Sequence, residues 1–300
     1  MLSGCGSHTA KQVELRDQGI ELMAQGDYEG AIKLFDEGLH LSLGSVKEME
    51  IDLCYYKAAA QYAAGQFNDA VATYSALIRY DKDNYAPYFM RGSIYANEGE
   101  IGDACKDYDK ACELKKDYEL YLEIFDNLDA LGYRTQAMKY LDEALEVKDN
   151  SANGYMYRGQ IYYKMGMYEQ SMAELNESVK KGCEKAKVYL AKIYEYNGDS
   201  ATATELLTEY ASSDEVTSEA LGTLGDLEMA SGNYSTALSY YQAGQRLDQV
   251  DNMQQLLKGE IAALESMLRF DEAETKMEEY LALYPADTEA SRELLFLSTR

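Results

Sequence analysis

The chain has 300 residues and carries 53 Asp and Glu against 28 Lys and Arg, a formal net charge of −25. Charge of that sign repels phosphate backbones and anionic lipid headgroups, which argues against a nucleic-acid partner and leaves any membrane association to an anchor. The 28 Tyr and 6 Phe argue for a packed core rather than a disordered acidic chain, and two prolines among abundant Ala, Leu, Glu and Lys point to helices. No run of eighteen apolar residues is present, so no membrane-spanning helix is expected.

In chain order, the first element is the opening Met1-Leu2-Ser3-Gly4-Cys5-Gly6. Its Leu2-Ser3-Gly4-Cys5 resembles the bacterial lipobox, the site at which a lipoprotein signal peptide is cut and the Cys lipidated. The resemblance implies a lipid on Cys5, a signal segment upstream, and a flexible linker over residues 1–10. The alternative is a cytosolic protein in which Cys5 is an ordinary residue near the N-terminus.

Beyond that linker one phrase recurs: Gly, a polar residue, an apolar residue, two further residues, then Ala. It reads Gly26-Asp27-Tyr28-Glu29-Gly30-Ala31 and then Gly65-Gln66-Phe67-Asn68-Asp69-Ala70. It returns at Gly99–Ala104, Gly132–Ala137, Gly166–Ser171, Gly198–Ala203 and Gly232–Ala237, and an eighth copy keeps Phe270 and Ala273 without the Gly. The steps from Ala31 to Ala273 are 39, 34, 33, 34, 32, 34 and 36 residues. A Gly ends one helix in the left-handed conformation and the polar residues after it start the next, so each phrase predicts a helical hairpin. The Ala marks the close approach of the two helices. Upstream, a small residue recurs at the crossing point of the first helix: Gly19, Ala58, Gly92, Gly159, Ala191 and Gly225. Four residues after the Ala comes a large one: Phe35, Tyr74, Tyr108, Leu141, Leu175, Leu207, Tyr241 and Met277.

These positions resemble the tetratricopeptide repeat, whose period is about 34 residues. The matching first helices include Met90-Arg91-Gly92-Ser93-Ile94-Tyr95 and Tyr157-Arg158-Gly159-Gln160-Ile161-Tyr162, and the resemblance covers roughly residues 12–285. It implies an all-α fold, a right-handed superhelical solenoid of stacked antiparallel helix pairs. The expected organisation is a single solenoid over 11–300, with about eight repeats and a C-terminal capping helix begun by Asp287. The family's Trp is absent, and its closing Pro survives only at Pro285. The 39-residue step predicts a longer first helix in the second repeat.

No motif for chemistry accompanies the repeats. The two histidines, His8 and His40, lack partners at ligand spacing, and no Walker loop, GxSxG, HExxH or CxxC is present. A non-enzymatic protein with no metal and no cofactor is expected. Cys105 and Cys112 lie two turns apart on one predicted helix, about 10 Å along its axis and too far to bridge. They read as small core residues; in an exported protein the four cysteines Cys54, Cys105, Cys112 and Cys183 would be four free thiols or two bridges, and the sequence leaves both open.

In this family the first helices line the concave side. The inward positions in the second to seventh repeats are Tyr55, Ala59 and Tyr62; Phe89, Ser93 and Ala96; Leu122, Asp126 and Asp129; Met156, Gln160 and Tyr163; Val188, Lys192 and Glu195; and Gly222, Asp226 and Met229. The N-terminal half of this set is aromatic and nearly uncharged, whereas the C-terminal half is acidic and relieved by Lys192. Tyr55, Tyr62, Phe89, Met156 and Tyr163 are expected as apolar anchors, with Asp126, Asp129, Lys192 and Asp226 as the charged contacts. The Lys and Asn that clamp a carboxylate in chaperone-binding members are replaced here. The expected partner is a protein or peptide with apolar and some basic residues, and the membrane is reached only through a lipid on Cys5. The leading expectation is therefore an envelope lipoprotein adaptor on the outer side of the cytoplasmic membrane. A cytosolic scaffold is the alternative, and an enzyme or carrier on the array a remote one.

Overall fold

The computed structural model describes residues 4–42, 44 and 46–298, and side chains from residue 8 onward. Seventeen α-helices, and no strand, are present among the described residues. They fall into two compact units that meet in sequence between Val147 and Lys148. The N-terminal unit pairs α1 (Gly4–Ala24) with α2 (Tyr28–His40), α3 (Glu48–Ala63) with α4 (Phe67–Tyr80), α5 (Ala86–Asn97) with α6 (Ile101–Leu114), and α7 (Tyr118–Ala130) with α8 (Arg134–Ala144). The C-terminal unit pairs α9 (Ala152–Lys164) with α10 (Tyr168–Lys180), α11 (Ala186–Tyr196) with α12 (Ser200–Ala211), α13 (Ser218–Ala230) with α14 (Tyr234–Gly244), and α15 (Met253–Ser266) with α16 (Phe270–Leu283). A last helix, α17 (Thr288–Leu297), packs on α16.

Each hairpin is made by the recurring phrase. The seven phrase glycines, from Gly26 to Gly232, all have φ between 76° and 84°, the left-handed region closed to most side chains. At the first turn Gly26 N–H donates to Met23 O and Asp27 N–H to Leu22 O, the paired bonds of a Schellman stop. In the eighth repeat the same conformation falls on Leu268, at φ 60°, with Arg269 N–H donating to Leu264 O. The seven phrase alanines and Ser171 are fully buried at the helix contacts.

The crossing residues explain the close approach. A Cβ on Gly19 would stand 2.4 Å from the Phe35 ring, one on Gly159 2.5 Å from Leu175, and one on Gly225 2.4 Å from the Tyr241 ring. Thus the small residue of the first helix receives the large residue of the second, as the spacing predicts. Ion pairs reinforce two of these hairpins: Arg91 binds both carboxylate oxygens of Asp107 at 2.7 Å, and Arg158 Nε donates to Glu174 at 2.8 Å.

Two expectations need adjustment. Residues 4–10, expected as a flexible linker, form the first turns of α1; no proline or glycine pair interrupts the run from Ser7 into the helix. The extra residues of the 39-residue step are shared: α3 starts ten residues before Ala58 where α5 starts six before Gly92, and the remainder lies in the connection 41–47. The capping helix follows the expected chemistry, with the Asp287 carboxylate accepting from the Glu289 and Ala290 amides and Ala290 and Leu297 buried.

Candidate protein-binding surface

The inward positions lie three before, one after and four after each crossing residue. Across the repeats these three behave differently. The residue one after is half-buried or exposed in all six repeats considered, from Ala59 to Asp226. The residue three before is largely lost to the core: Leu122, Met156, Val188 and Gly222 are buried. Met156, expected as an exposed anchor, is only 4% exposed and packs with Leu175, Cys183, Ala186 and Leu190. This position faces the next first helix, so a flexible apolar side chain there closes the inter-repeat seam.

Tyr55 and Phe89 occupy the same position but are large enough to remain half-buried. Tyr55 packs on Tyr74 with ring centroids 6.1 Å apart, and its hydroxyl accepts from Asn84 Nδ2 at 3.3 Å. Phe89 packs on Tyr108, and Tyr62 on Phe67, in the same tilted manner. Burial pushes the Tyr55 and Tyr62 hydroxyls above their ordinary values, so both stay neutral. Tyr55 also lines an open cleft of about 470 Å³ between α1 and α3, with Arg16, Glu48, Met49, Ile51 and Asp52. In the C-terminal unit Tyr163 is half-buried between Tyr168 and Tyr189.

The charged positions are mostly committed within the fold. Both Asp129 oxygens accept from Arg134 at 2.9 Å across the α7–α8 turn. Lys192 bridges α11 to Glu219 on α13 and lies 5.2 Å from the Tyr189 ring centroid. Asp126 is exposed on α7. Asp226, exposed on α13, accepts from Tyr241 Oη at 2.7 Å and from Gln255 Nε2 at 2.8 Å, which fixes its carboxylate without covering it.

Asp226 and Met229 line an open cleft of about 650 Å³ between α13 and α15. The opposite wall is Gln254, Gln255, Lys258, Gly259 and Ala262, with Tyr241 beneath. Gly259 has a structural reason: a Cβ there would meet the Tyr241 ring at 2.4 Å, so the Tyr241 ring is held between Gly225 and Gly259. The small Gly259 and Ala262 keep this wall low; Gln255 is held between Asp226 and Asn252, and Gln254 Nε2 donates to Tyr280 Oη at 2.8 Å. Lys258 is turned toward the cap, paired with Asp287 at 2.8 Å. Sequence reading missed the α15 wall because no small residue marks its crossing point. Counting back twelve residues from Ala273, as from every other phrase Ala, reaches Ile261; the inward positions are then Lys258, Ala262 and Glu265.

Among the described residues no cluster of His, Cys, Asp or Glu could hold a metal ion, and no helix is long and apolar enough to cross a membrane. Cys54, Cys105, Cys112 and Cys183 are free thiols. The lipidation expectation falls on the Cys5 side chain, which lies outside the described residues.

Tetratricopeptide-repeat models match residues 22–92, 85–118, 152–180 and 190–252, together more than half of the chain. Among curated proteins, TPR repeat-containing protein MJ1428 of Methanocaldococcus jannaschii is 22% identical over 52% of this chain and 34% of its own length. DnaJ homolog subfamily C member 3 of Gallus gallus is 39% identical over 20% of this chain and 12% of its own length. The chain thus spans about a third or less of these curated relatives. Among solved structures, a tetratricopeptide repeat protein from Parabacteroides merdae aligns with a TM-score of 0.53 at 17% identity, over 84% of this chain and 99% of its own. A chain of the APC/C hetero-tetramer Cut9-Hcn1 aligns with a TM-score of 0.50 at 14% identity, over 92% of this chain and 55% of its own. The repeat register, the buried alanines and these matches lead to one conclusion: the chain belongs to the tetratricopeptide-repeat family of protein–protein interaction scaffolds.

Proposed function

We propose that this chain is a non-catalytic scaffold that holds an extended protein segment against its first helices, with the α13–α15 cleft as the principal site. The observation that carries the reading is the arrangement around Asp226. An exposed carboxylate is held by Tyr241 and Gln255 at the edge of a cleft with an apolar side chain, Met229, and a low wall at Gly259 and Ala262. Such a site suits a segment with one basic residue on Asp226 and apolar residues beside it. The half-buried rings of Tyr55, Tyr62 and Phe89 offer further apolar edges in the N-terminal unit.

An array of peptides varying in apolar and basic content tests this. Binding of apolar–basic peptides should weaken at least tenfold in Ala262→Arg, which fills the cleft from an exposed position, and in Asp226→Lys. It should also fall with added salt. Equal binding by both folded variants places the segment elsewhere.

For location, the reading is an envelope lipoprotein tethered through Cys5, supported by the Leu2-Ser3-Gly4-Cys5 sequence. Two acyl chains hold a soluble domain stably on a bilayer. Detergent partitioning of the full-length gene product against its Cys5→Ser variant decides it. Equal aqueous partitioning of both leaves the cytosolic scaffold.

A further inference from the structure

The N-terminal unit contains a second cavity, which shares Ile51 with the Tyr55 cleft and no other of that cleft's described lining residues. It has a volume of about 300 Å³ and lies between α2, α3 and α4, lined chiefly by Leu39, Val46, Ile51, Cys54, Leu77 and Tyr80. It sits at the seam between two apolar clusters, with Leu39 in one and Ile51, Cys54 and Leu77 in the next.

Its origin can be read from the repeat register. Ile51 and Cys54 lie seven and four residues before the crossing Ala58. The equivalent residues before Gly92 are Tyr85 and Tyr88, and those before Phe125 are Tyr118 and Tyr121. On the second helix, Ala76 stands where the following repeats have Lys110 and Glu143. In the fourth repeat both rings are buried in the corresponding space. Tyr118 and Tyr121 are buried, and the Tyr118 hydroxyl donates at 2.9 Å to the carbonyl of Val147, the counterpart of Tyr80. Burial pushes the Tyr121 hydroxyl up, with Glu143, the counterpart of Ala76, adding to the shift. The cavity is therefore the counterpart of the volume that a pair of buried tyrosine rings fills in the fourth repeat, left open here by Ile and Cys.

Among the described residues nothing charged is free inside it. The Glu50 carboxylate at its edge is buried and accepts from Gln12 Nε2 at 2.9 Å and from the Lys47 amide at 2.8 Å. Burial pushes the Cys54 thiol up, keeping it neutral. The volume is about twice that of an apolar cavity that takes one benzene ring, and it falls at the small end of ligand pockets. Its lining is nine residues, well short of the roughly 20–30 per side of a stable protein interface.

We propose that this cavity is a binding site for a neutral aromatic molecule of one or two rings, which replaces the missing tyrosine pair. The site is independent of the segment-binding cleft in the other unit.

Indole and 2-naphthol serve as probes, titrated calorimetrically into the full chain. One-to-one binding with a dissociation constant on the order of 10–100 µM is expected. Cys54→Tyr and Ile51→Tyr, which restore the rings of the neighbouring repeats, should each weaken it at least tenfold while keeping the wild-type circular dichroism. In the wild type, saturating 2-naphthol should slow alkylation of Cys54 several-fold relative to Cys105, as read by peptide mass spectrometry; this measurement needs no variant. Absence of saturable binding, unchanged affinity in a folded ring-restoring variant, or equal alkylation of Cys54 with and without 2-naphthol overturns the proposal.

Discussion

Leu268 is the one described non-glycine residue held at positive φ, and replacing it with Gly should stabilise the C-terminal unit. A left-handed backbone costs an L-residue roughly 1–2 kcal/mol. The side chain returns little of this, since it is 74% exposed and joins no apolar cluster. Against the relief stands the greater freedom of Gly in the unfolded chain, about 0.4–1 kcal/mol. The net gain expected for Leu268→Gly is about 0.5–1 kcal/mol. Urea unfolding should show a midpoint raised by roughly 0.3–0.5 M for a slope of about 2 kcal/mol/M. Because a repeat array opens locally, hydrogen exchange gives the sharper reading: the amides of α15 and α16 should slow about 2- to 5-fold. The reverse change in the preceding hairpin, Gly232→Ala at φ 77°, should lose stability. A Leu268→Gly protein no more stable than wild type, with Gly232→Ala neutral, would refute the assignment of these turns as the stops that define each repeat.

Ala104→Leu should cost about 1–3 kcal/mol by overpacking the α5–α6 crossing, where Ala104 is fully buried beside Gly92; a thermal melt checks it. Arg91→Met should destabilise the same hairpin by about 2 kcal/mol, because it leaves the buried Asp107 carboxylate without its bidentate partner, and a double-mutant cycle with Asp107→Ala should return most of that loss. The cap α17 should respond to acid. Lys258, Tyr280 and the Ala290 amide hold the Asp287 carboxyl well below its ordinary range, so its contribution is present above the unfolded value near about 3.9 and is lost as pH falls below it. Hydrogen exchange of α17 should accelerate below about pH 4 in the wild type and show little of that step in Asp287→Asn.

Much of the fold was legible because its requirements are local. A hairpin stop in the left-handed region demands Gly, and a helix crossing demands Ala beside a small residue, so both leave their mark at fixed spacing. The eighth repeat was found, but the inward face of its first helix was not, because Leu268 replaces its Gly and Ile261 its small crossing residue, leaving only Phe270 and Ala273 to fix the register. The binding face was less legible for a different reason. Whether a residue three before the crossing is exposed depends on its size and on the next first helix: Met156 folds into the seam, while Tyr55 and Phe89 stay at the surface. Charge was misjudged similarly, since Lys192 is committed to Glu219, 27 residues away, and no local pattern announces that pairing. The aromatic-sized cavity required both kinds of information, the register to show that two tyrosines are replaced and the packing to show that no described residue fills their place.

The central claim is that a protein segment lies in the α13–α15 cleft, and site-specific photocrosslinking in the native host tests it most directly. A benzophenone amino acid replacing the exposed Ala262 in the cleft is compared with one replacing the exposed Ser239 on the second helix α14. The account predicts a discrete protein adduct at position 262, mapping to a segment with apolar and basic residues, weakened by Asp226→Lys and absent at position 239. Equal crosslinking from both positions, or an adduct at position 262 that persists unchanged with Asp226→Lys in a folded protein, would contradict it.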